Sequence, residues 1–328
     1  MIIAYIISES MCVSPYNGIR MQAATWANEL IRQGHVVIKV NPWDIQDWTN
    51  YDVIHIFGYG MFLRDLQYIS NRNVVFSPII DSFQPIWMYR LASYWGCKRL
   101  RLTSTNFDLR IAKPYIRKWY VRSRFEYEYV SKAYGVPDND IILIPLSYRV
   151  SPPESYPKKE KYCLHVSKIT DSRKNVERLV DAAIMGGFKL KLAGSVSRGF
   201  ENSSLKEKIE RNSNIEYLGR VNDEDLLDLY RSAKVFALTS IGEGVGLVAL
   251  EAAAYGCDIV VTNIGGPKEY YDNMAFEVNP YKVDEICQAV LSAMNTVSFQ
   301  PDLMNLIQKK YNLSTCVGGL IRSYHSIL

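Results

Sequence analysis

The sequence predicts an α/β protein of two consecutive doubly wound domains, and three observations carry that expectation. Continuous apolar runs rich in β-branched residues alternate with helical patterns, as buried parallel strands and their crossover helices do. The alternation is broken once, by a stretch without any periodicity, and then begins again. The chain has 328 residues, 48% of them hydrophobic and 22% charged, enough for two cores. In order, "MIIAYIIS" reads as the first strand. A helix over "GIRMQAATWANELIRQG" follows, with Met21, Ala24, Ala27, Leu30 and Ile31 at helical spacing and Gly34 as its stop. "HVVIKVN", "YDVIHIF", "NVVFSPII" and "DIILIPL" are the remaining strands of the first series. Pro152, Pro153, Pro157 and a lysine cluster then mark a linker. In the second series "YCLHVS", "KLKLAGS", "IEYLG", "KVFALTS", "CDIVVTN" and "AFEVNP" are strands, separated by helices such as "NVERLVDAAIMGG" and "DEDLLDLYRSA". The expected boundaries are a first domain over 1–148, a second over 149–310 and a terminal helix over 311–328.

Composition removes several function classes. "MIIAYII" has no basic region before it and is too short to span a bilayer, so a core strand is expected rather than a signal peptide, and no other apolar run reaches membrane length. Cys12, Cys97, Cys163, Cys257, Cys287 and Cys316 are scattered without a CxxC pair, against both a zinc site and a disulfide framework. A reducing cytoplasm is the expected location. The net charge of +4 is too mild to identify a partner.

The stretch "LTSIGEGVGLVALEAAAYGCDIVVTNIGGPKE" concentrates the chemistry. Its glycines lie between a strand and a helix, where backbone amides and the helix dipole receive an anion such as a diphosphate. The nicotinamide dinucleotide fingerprint is absent, because Leu247 stands where a third glycine is required. Glu243, inside the loop, suits hydroxyl groups better than phosphate. Glu251, about two turns on, suits the vicinal hydroxyls of a ribose. The spacing alone equally accommodates a glycine turn followed by a solvated glutamate.

"EGVGLVALEAAAYG", with "IGG" and Glu269 after the next strand, resembles the EX7E signature region of retaining glycosyltransferases of family 4. The resemblance implies the GT-B fold, two Rossmann-like domains facing a cleft with a C-terminal helix crossing back to the first. It runs on through "IEYLGRVNDEDLLDLYRSAKVFALTS", with Arg220 near the base, and through "HVSKITDSRKNVERLVDAA". There Ser167 and Lys168 replace the family's Gly-Arg pair, which loses the bidentate fork and keeps the charge, and Lys174 matches its lysine. Gly18, preceded by Asn17 instead of a second glycine, resembles the family's first loop. "VVFSPIIDS" carries Pro78 and Ile79 where many members have a histidine, His55 and His165 lie elsewhere, and Asp81 and Ser82 are candidates to reach the cleft.

The resemblance implies transfer of a sugar, with retention, from a nucleotide-diphosphate sugar to a glycan or lipid-linked acceptor, as in surface polysaccharide biosynthesis. Donor contacts fall to Gly18, Arg220, Gly244, Val245, Gly246, Leu247 and Glu251, and catalytic roles to Glu243, Lys168 and Lys174. Charge developing on the leaving diphosphate is met by lysines and amides, so neither a metal nor a separate cofactor is expected. The alternative is a catalytically idle sugar-nucleotide or glycan-binding protein of the same fold, motivated by the missing histidine. Residues 98–132 hold ten basic side chains against Asp108, Glu126 and Glu128, interleaved with aromatics and preceded by Trp87, Tyr89, Tyr94 and Trp95. Either a solvated basic face or peripheral contact with an anionic membrane, at the inner face of the cell membrane, follows from this mixture, with Arg117, Lys118 and Arg122 as the expected contacts. No nucleic-acid module accompanies it.

Overall fold

The computed structural model describes residues 1–8, 18–41, 43–70, 72–80, 84–97 and 102–328. These form two compact units, one of Met1–Ile80, Gln84–Leu146 and Leu313–Leu328, the other of Ser147–Asn312. The first unit contains β1 (Ile2–Ile7), α1 (Gly18–Arg32), β2 (Val36–Lys39), β3 (Val53–Phe57), β4 (Val74–Ser77), α2 (Ile86–Tyr94), β5 (Gly96–Cys97), β6 (Leu102–Thr103), α3 (Thr105–Ala112), β7 (Lys118–Val121), α4 (Arg124–Tyr134) and β8 (Ile141–Leu143). Its sheet runs β2-β1-β3-β4-β7-β8 with every pairing parallel, while β5 and β6 form a separate antiparallel pair.

The second unit contains β9 (Glu160–Val166), α5 (Val176–Gly186), β10 (Leu190–Ala193), α6 (Ser204–Glu210), β11 (Ile215–Gly219), α7 (Asp223–Ser232), β12 (Ala233–Leu238), α8 (Leu247–Ala254), β13 (Asp258–Thr262), β14 (Phe276–Val278), α9 (Val283–Asn295) and α10 (Asp302–Lys310). Its parallel sheet runs β11-β10-β9-β12-β13-β14. Chain order reverses between β9 and β12, which leaves a crevice at their carboxyl ends. All six strand expectations for this unit match. The central strands are apolar on both faces, and β13 is buried at every residue, whereas the edge strands β11 and β14 carry exposed Glu216 and Glu277.

The first unit departs from the sequence reading in three ways. Strand β7, between β4 and the edge strand β8, was not anticipated: it is four residues long, opens with Lys118 and lies in a basic stretch that hides the run Trp119, Tyr120, Val121. Helix α1 buries Ala23, Trp26, Ala27 and Leu30, whereas Met21 and Ile31 are exposed, so its core face is turned from the expected one. Gly34 does follow the helix at φ +86°, a conformation that favours glycine.

The third departure concerns the basic segment, whose charges are engaged within the unit. Arg122 is buried against Glu126, Lys118 binds the Asn139 carbonyl at 2.7 Å and Asp140 at 3.0 Å, and Arg117 donates to Asn73 at 2.7 Å. Lys98, Arg99 and Arg101 lie outside the described residues.

Helix α11 (Leu313–His325) belongs to the first unit and is tied there by buried polar contacts. The Tyr324 hydroxyl lies 2.5 Å from His55 Nδ1 and 3.3 Å from the Tyr5 hydroxyl, and Ser323 Oγ lies 2.9 Å from the Tyr120 hydroxyl. His55 also meets Ser77 at 2.8 Å, and burial depresses its pKa well below the ordinary histidine value. No described helix is long and apolar enough to cross a membrane.

Candidate active site

Two loops meet at the crevice of the second unit, one after β9 and one after β12, and three bonds stitch them. The Ile241 amide donates to the Arg173 carbonyl at 2.8 Å, Asn175 Nδ2 donates to the Thr239 carbonyl at 2.9 Å, and Lys174 Nζ meets Glu243 Oε2 at 2.5 Å. Asn175 is buried in the left-handed region at φ +58°, and its amide also reaches the Pro280 carbonyl at 2.6 Å. Asparagine tolerates that backbone, and the bend turns the chain into α5 while aiming Lys174 at Glu243.

Close backbone approaches shape the second loop. Gly246 caps the start of α8 at φ +75°, and a Cβ there would sit 2.3 Å from Leu238 Cδ2. Gly265, in "IGG", would place a Cβ 2.7 Å from the Glu243 carbonyl, so that segment packs directly on the loop. Gly244 and Val245 are buried, and Leu247 opens α8. The Ala249 amide donates to the Gly246 carbonyl at 2.9 Å, and the amides of Leu247 and Val248 ahead of it are the natural seat for an anion.

Lys174 and Glu243 are both partly exposed, with side chains at 24% and 18%. Ser240 Oγ lies 3.4 Å from the same glutamate oxygen. Lys168 is exposed on the first loop and has no ion pair among the described residues, and Arg220 is exposed just past β11. The buried hydroxyls of Thr239 and Tyr271 have no hydrogen-bond partner among the described residues. Burial raises the pKa of Tyr271, whose ring feels the charge of Glu243.

Glu251 is not the solvated glutamate that the spacing alone allowed. It is 2% exposed in the second turn of α8, where Arg149 Nε donates to Oε1 at 2.8 Å and the Tyr230 hydroxyl to Oε2 at 3.4 Å. Arg149, Tyr230 and Asn175 are the members that sequence reasoning missed. Asn175 had a faint signal, a polar residue directly before a helical pattern; Arg149 had none. Gly18 is the exposed first residue of α1, and the loop before it, with Asn17, is outside the described residues.

His165, fully buried in β9, touches the site through Ser167. Its Nδ1 lies 2.8 Å from the Ala237 carbonyl, so that nitrogen carries the proton and Ser167 donates to Nε2 at 2.7 Å. Burial lowers its pKa to about 4. Among the described residues no three His, Cys, Asp or Glu side chains are grouped to hold a metal ion.

In the first unit, Ile79 follows β4 at the place where the family resemblance sets a histidine. It is buried at φ +58°, rare for a β-branched residue. Glu126 holds that turn: it accepts the amides of Ile80 and Arg122, the latter at 2.6 Å, and pairs with the Arg122 guanidinium, which also reaches the Ile80 carbonyl at 3.3 Å. Asp81 and Ser82 are outside the described residues.

Residues 150–312 match the family model for glycosyl transferases group 1. Over 191 residues the chain is 30% identical to O-antigen chain mannosyltransferase B of Escherichia coli, covering 53% of this chain and 50% of that protein. It thus spans about half the length of the curated relative it matches. Among solved structures, sucrose-phosphate synthase from Thermosynechococcus elongatus superposes with a TM-score of 0.73 at 15% identity, covering 100% of this chain and 99% of the other. Anabaena Alr3699/HepE in complex with UDP and glucose gives 0.70 at 15% identity, over 99% and 100%. These likenesses identify the fold as GT-B, with two Rossmann-like domains.

Proposed function

By its residues 150–312 the chain belongs to the group 1 glycosyltransferases, and from that premise we propose that it moves a sugar, with retention, from a nucleotide-diphosphate sugar to a glycan or lipid-linked acceptor in surface polysaccharide assembly. The observation that carries this reading is the partly exposed Lys174–Glu243 pair, held at 2.5 Å on stitched loops beside the start of α8. The donor diphosphate displaces Glu243 from Lys174 and lies against the amides of Gly244, Val245, Gly246 and Leu247. Glu243 then accepts from a sugar hydroxyl, Glu251 from the ribose, and Arg220 borders the donor. As the bond from the anomeric carbon to the diphosphate oxygen breaks, the acceptor oxygen bonds to that carbon and its proton passes to the diphosphate. Lys174, Lys168 and the loop amides stabilise the charge that gathers on the leaving group.

Mannose, the sugar in the name of the Escherichia coli relative, is the first donor to test. Incubation with GDP-mannose, and with UDP-glucose for comparison, should release nucleoside diphosphate and yield a glycoside of unchanged anomeric configuration by NMR. A catalytically idle binding protein is the second reading, favoured by Ile79 and Pro78 in place of a histidine. Tight nucleotide-sugar binding without release or transfer would decide for it.

Peripheral contact with an anionic membrane at the cytoplasmic face belongs to the same proposal, with its surface moved from the basic segment to α2. Trp87, Leu91, Tyr94 and Trp95 are 64%, 52%, 62% and 76% exposed at spacings that share one side of the helix. The Arg110 guanidinium stacks 4.6 Å from the Tyr94 ring centre, and residues 86–110 carry five basic side chains against Asp108 alone. Aromatic rings beside cations suit a lipid headgroup region. The double variant Trp87→Ser, Trp95→Ser should lose binding to phosphatidylserine vesicles; unchanged binding would rule this surface out.

A further inference from the structure

We propose that Arg149 is the positioning residue for Glu251 and thereby sets a preference for ribose over deoxyribose in the bound nucleotide. The inference rests on reading Glu251 as the ribose-binding carboxylate. Arg149 lies just ahead of the region matched to the family model, residues 150–312.

Glu251 is a buried carboxylate, and a buried charge requires a partner with good geometry. Arg149 supplies it through Nε at 2.8 Å, while the Tyr230 contact, at 3.4 Å, is too long to fix the side chain. A carboxylate offers about four lone-pair sites. One good bond and one weak one leave capacity for two ribose hydroxyls, provided the group stays in one rotamer. Removing Arg149 takes away the bond that holds it there.

Arg149 is itself held in place by the segment that follows it. The Tyr255 hydroxyl donates to the Ser151 carbonyl at 2.7 Å, and Gln308 Nε2 donates to the Pro153 carbonyl at 3.1 Å. The guanidinium therefore arrives from a backbone pinned to α8 and α10. Its side chain is 35% exposed, and its terminal nitrogens make no hydrogen bond among the described residues, so donors remain beside the ribose seat.

The test is a calorimetric titration of the full chain with UDP and GDP and with their 2′,3′-dideoxy analogues. Wild type should favour the ribonucleotide by at least about tenfold, the worth of a charge-assisted hydrogen bond. In Arg149→Met that ratio should collapse to within about threefold, whatever happens to the melting temperature. A purely structural arginine would lower the melting temperature and leave the ratio intact, which would overturn the proposal. Tighter binding by Arg149→Met would also overturn it, since the arginine would then be blocking the seat. If wild type binds a nucleotide without preference, the ribose assignment of Glu251 fails and takes this inference with it. If it binds neither nucleotide, the donor-site reading fails as a whole. Should Arg149→Met not fold, Arg149→Gln, which keeps a donor but no charge, is read in the same way.

Discussion

Two ion pairs, one in each unit, show how the same chemistry serves different ends. Arg122 and Glu126 in the first unit have side chains 9% and 1% exposed; Lys174 and Glu243 in the second are 24% and 18% exposed. The buried glutamate also accepts two backbone amides and fixes the turn at Ile79. The partly exposed glutamate is held by a lysine and a distant serine hydroxyl, on a glycine loop. A buried pair cannot release a partner without stranding a charge, whereas a partly exposed pair can exchange its partner for a ligand at lower cost. The difference separates a structural lock from a site.

The comparison is most directly broken by removing each glutamate or its partner and measuring stability. Glu126→Ala should cost about 3–5 kcal/mol in denaturant unfolding, because it removes a buried carboxylate that pairs with Arg122 and accepts the amides of Ile80 and Arg122. Lys174→Ala should cost no more than about 1 kcal/mol. Equal losses would erase the distinction.

Activity should invert that order at the second pair. Lys174→Ala should lower kcat about 10²–10³-fold, the scale of one lost donor to developing negative charge, with the melting curve nearly unchanged. A variant that keeps full turnover would return Lys174 to an ordinary surface ion pair.

A smaller effect concerns pH. Folded His165 takes up a proton only near pH 4, while an unfolded histidine does so near its ordinary 6.5. Between those values the unfolded state binds the extra proton. Stability from this group is therefore full above about pH 6.5 and falls as pH drops toward 4, by about 1.4 kcal/mol per unit at most. His165→Gln should flatten that part of the curve relative to wild type. An unchanged slope would mean that the buried ring does not contribute to it. The smallest expected effect is that of a chelator: if lysines and amides alone stabilise the leaving diphosphate, transfer should persist in EDTA. Loss of activity restored by magnesium or manganese would assign that work to a metal.

The second unit was the more legible of the two. Its six strands are short, largely apolar runs, four of which end at glycine or asparagine, and each lies where that pattern sets it. The glycine loop and its helix were equally plain, because a strand followed by clustered glycines and an alanine-rich helix is a local pattern. The first unit hides β7 because four residues led by a lysine carry too little periodicity. On α1 the sequence identified a helix but not the side it buries, since Ala23 and Trp26 face the core where Met21 had been expected.

What the sequence determined by itself was the doubly wound class, the break between the two series of strands, and the residue types able to bind a diphosphate. Those follow from neighbours a few positions apart, whose spacing settles period and turn. Only the tertiary structure decided which charges belong to a site. Lys174 and Glu243 are 69 residues apart, and Arg149 and Glu251 are 102 apart. Their partnerships depend on the order of strands in the sheet and on which side chains are left exposed. Arg117, Lys118 and Arg122 look like a binding face in the sequence and are bonded within the first unit. A charge is legible as a residue type, but its availability is set by burial and by partners that packing brings from far along the chain.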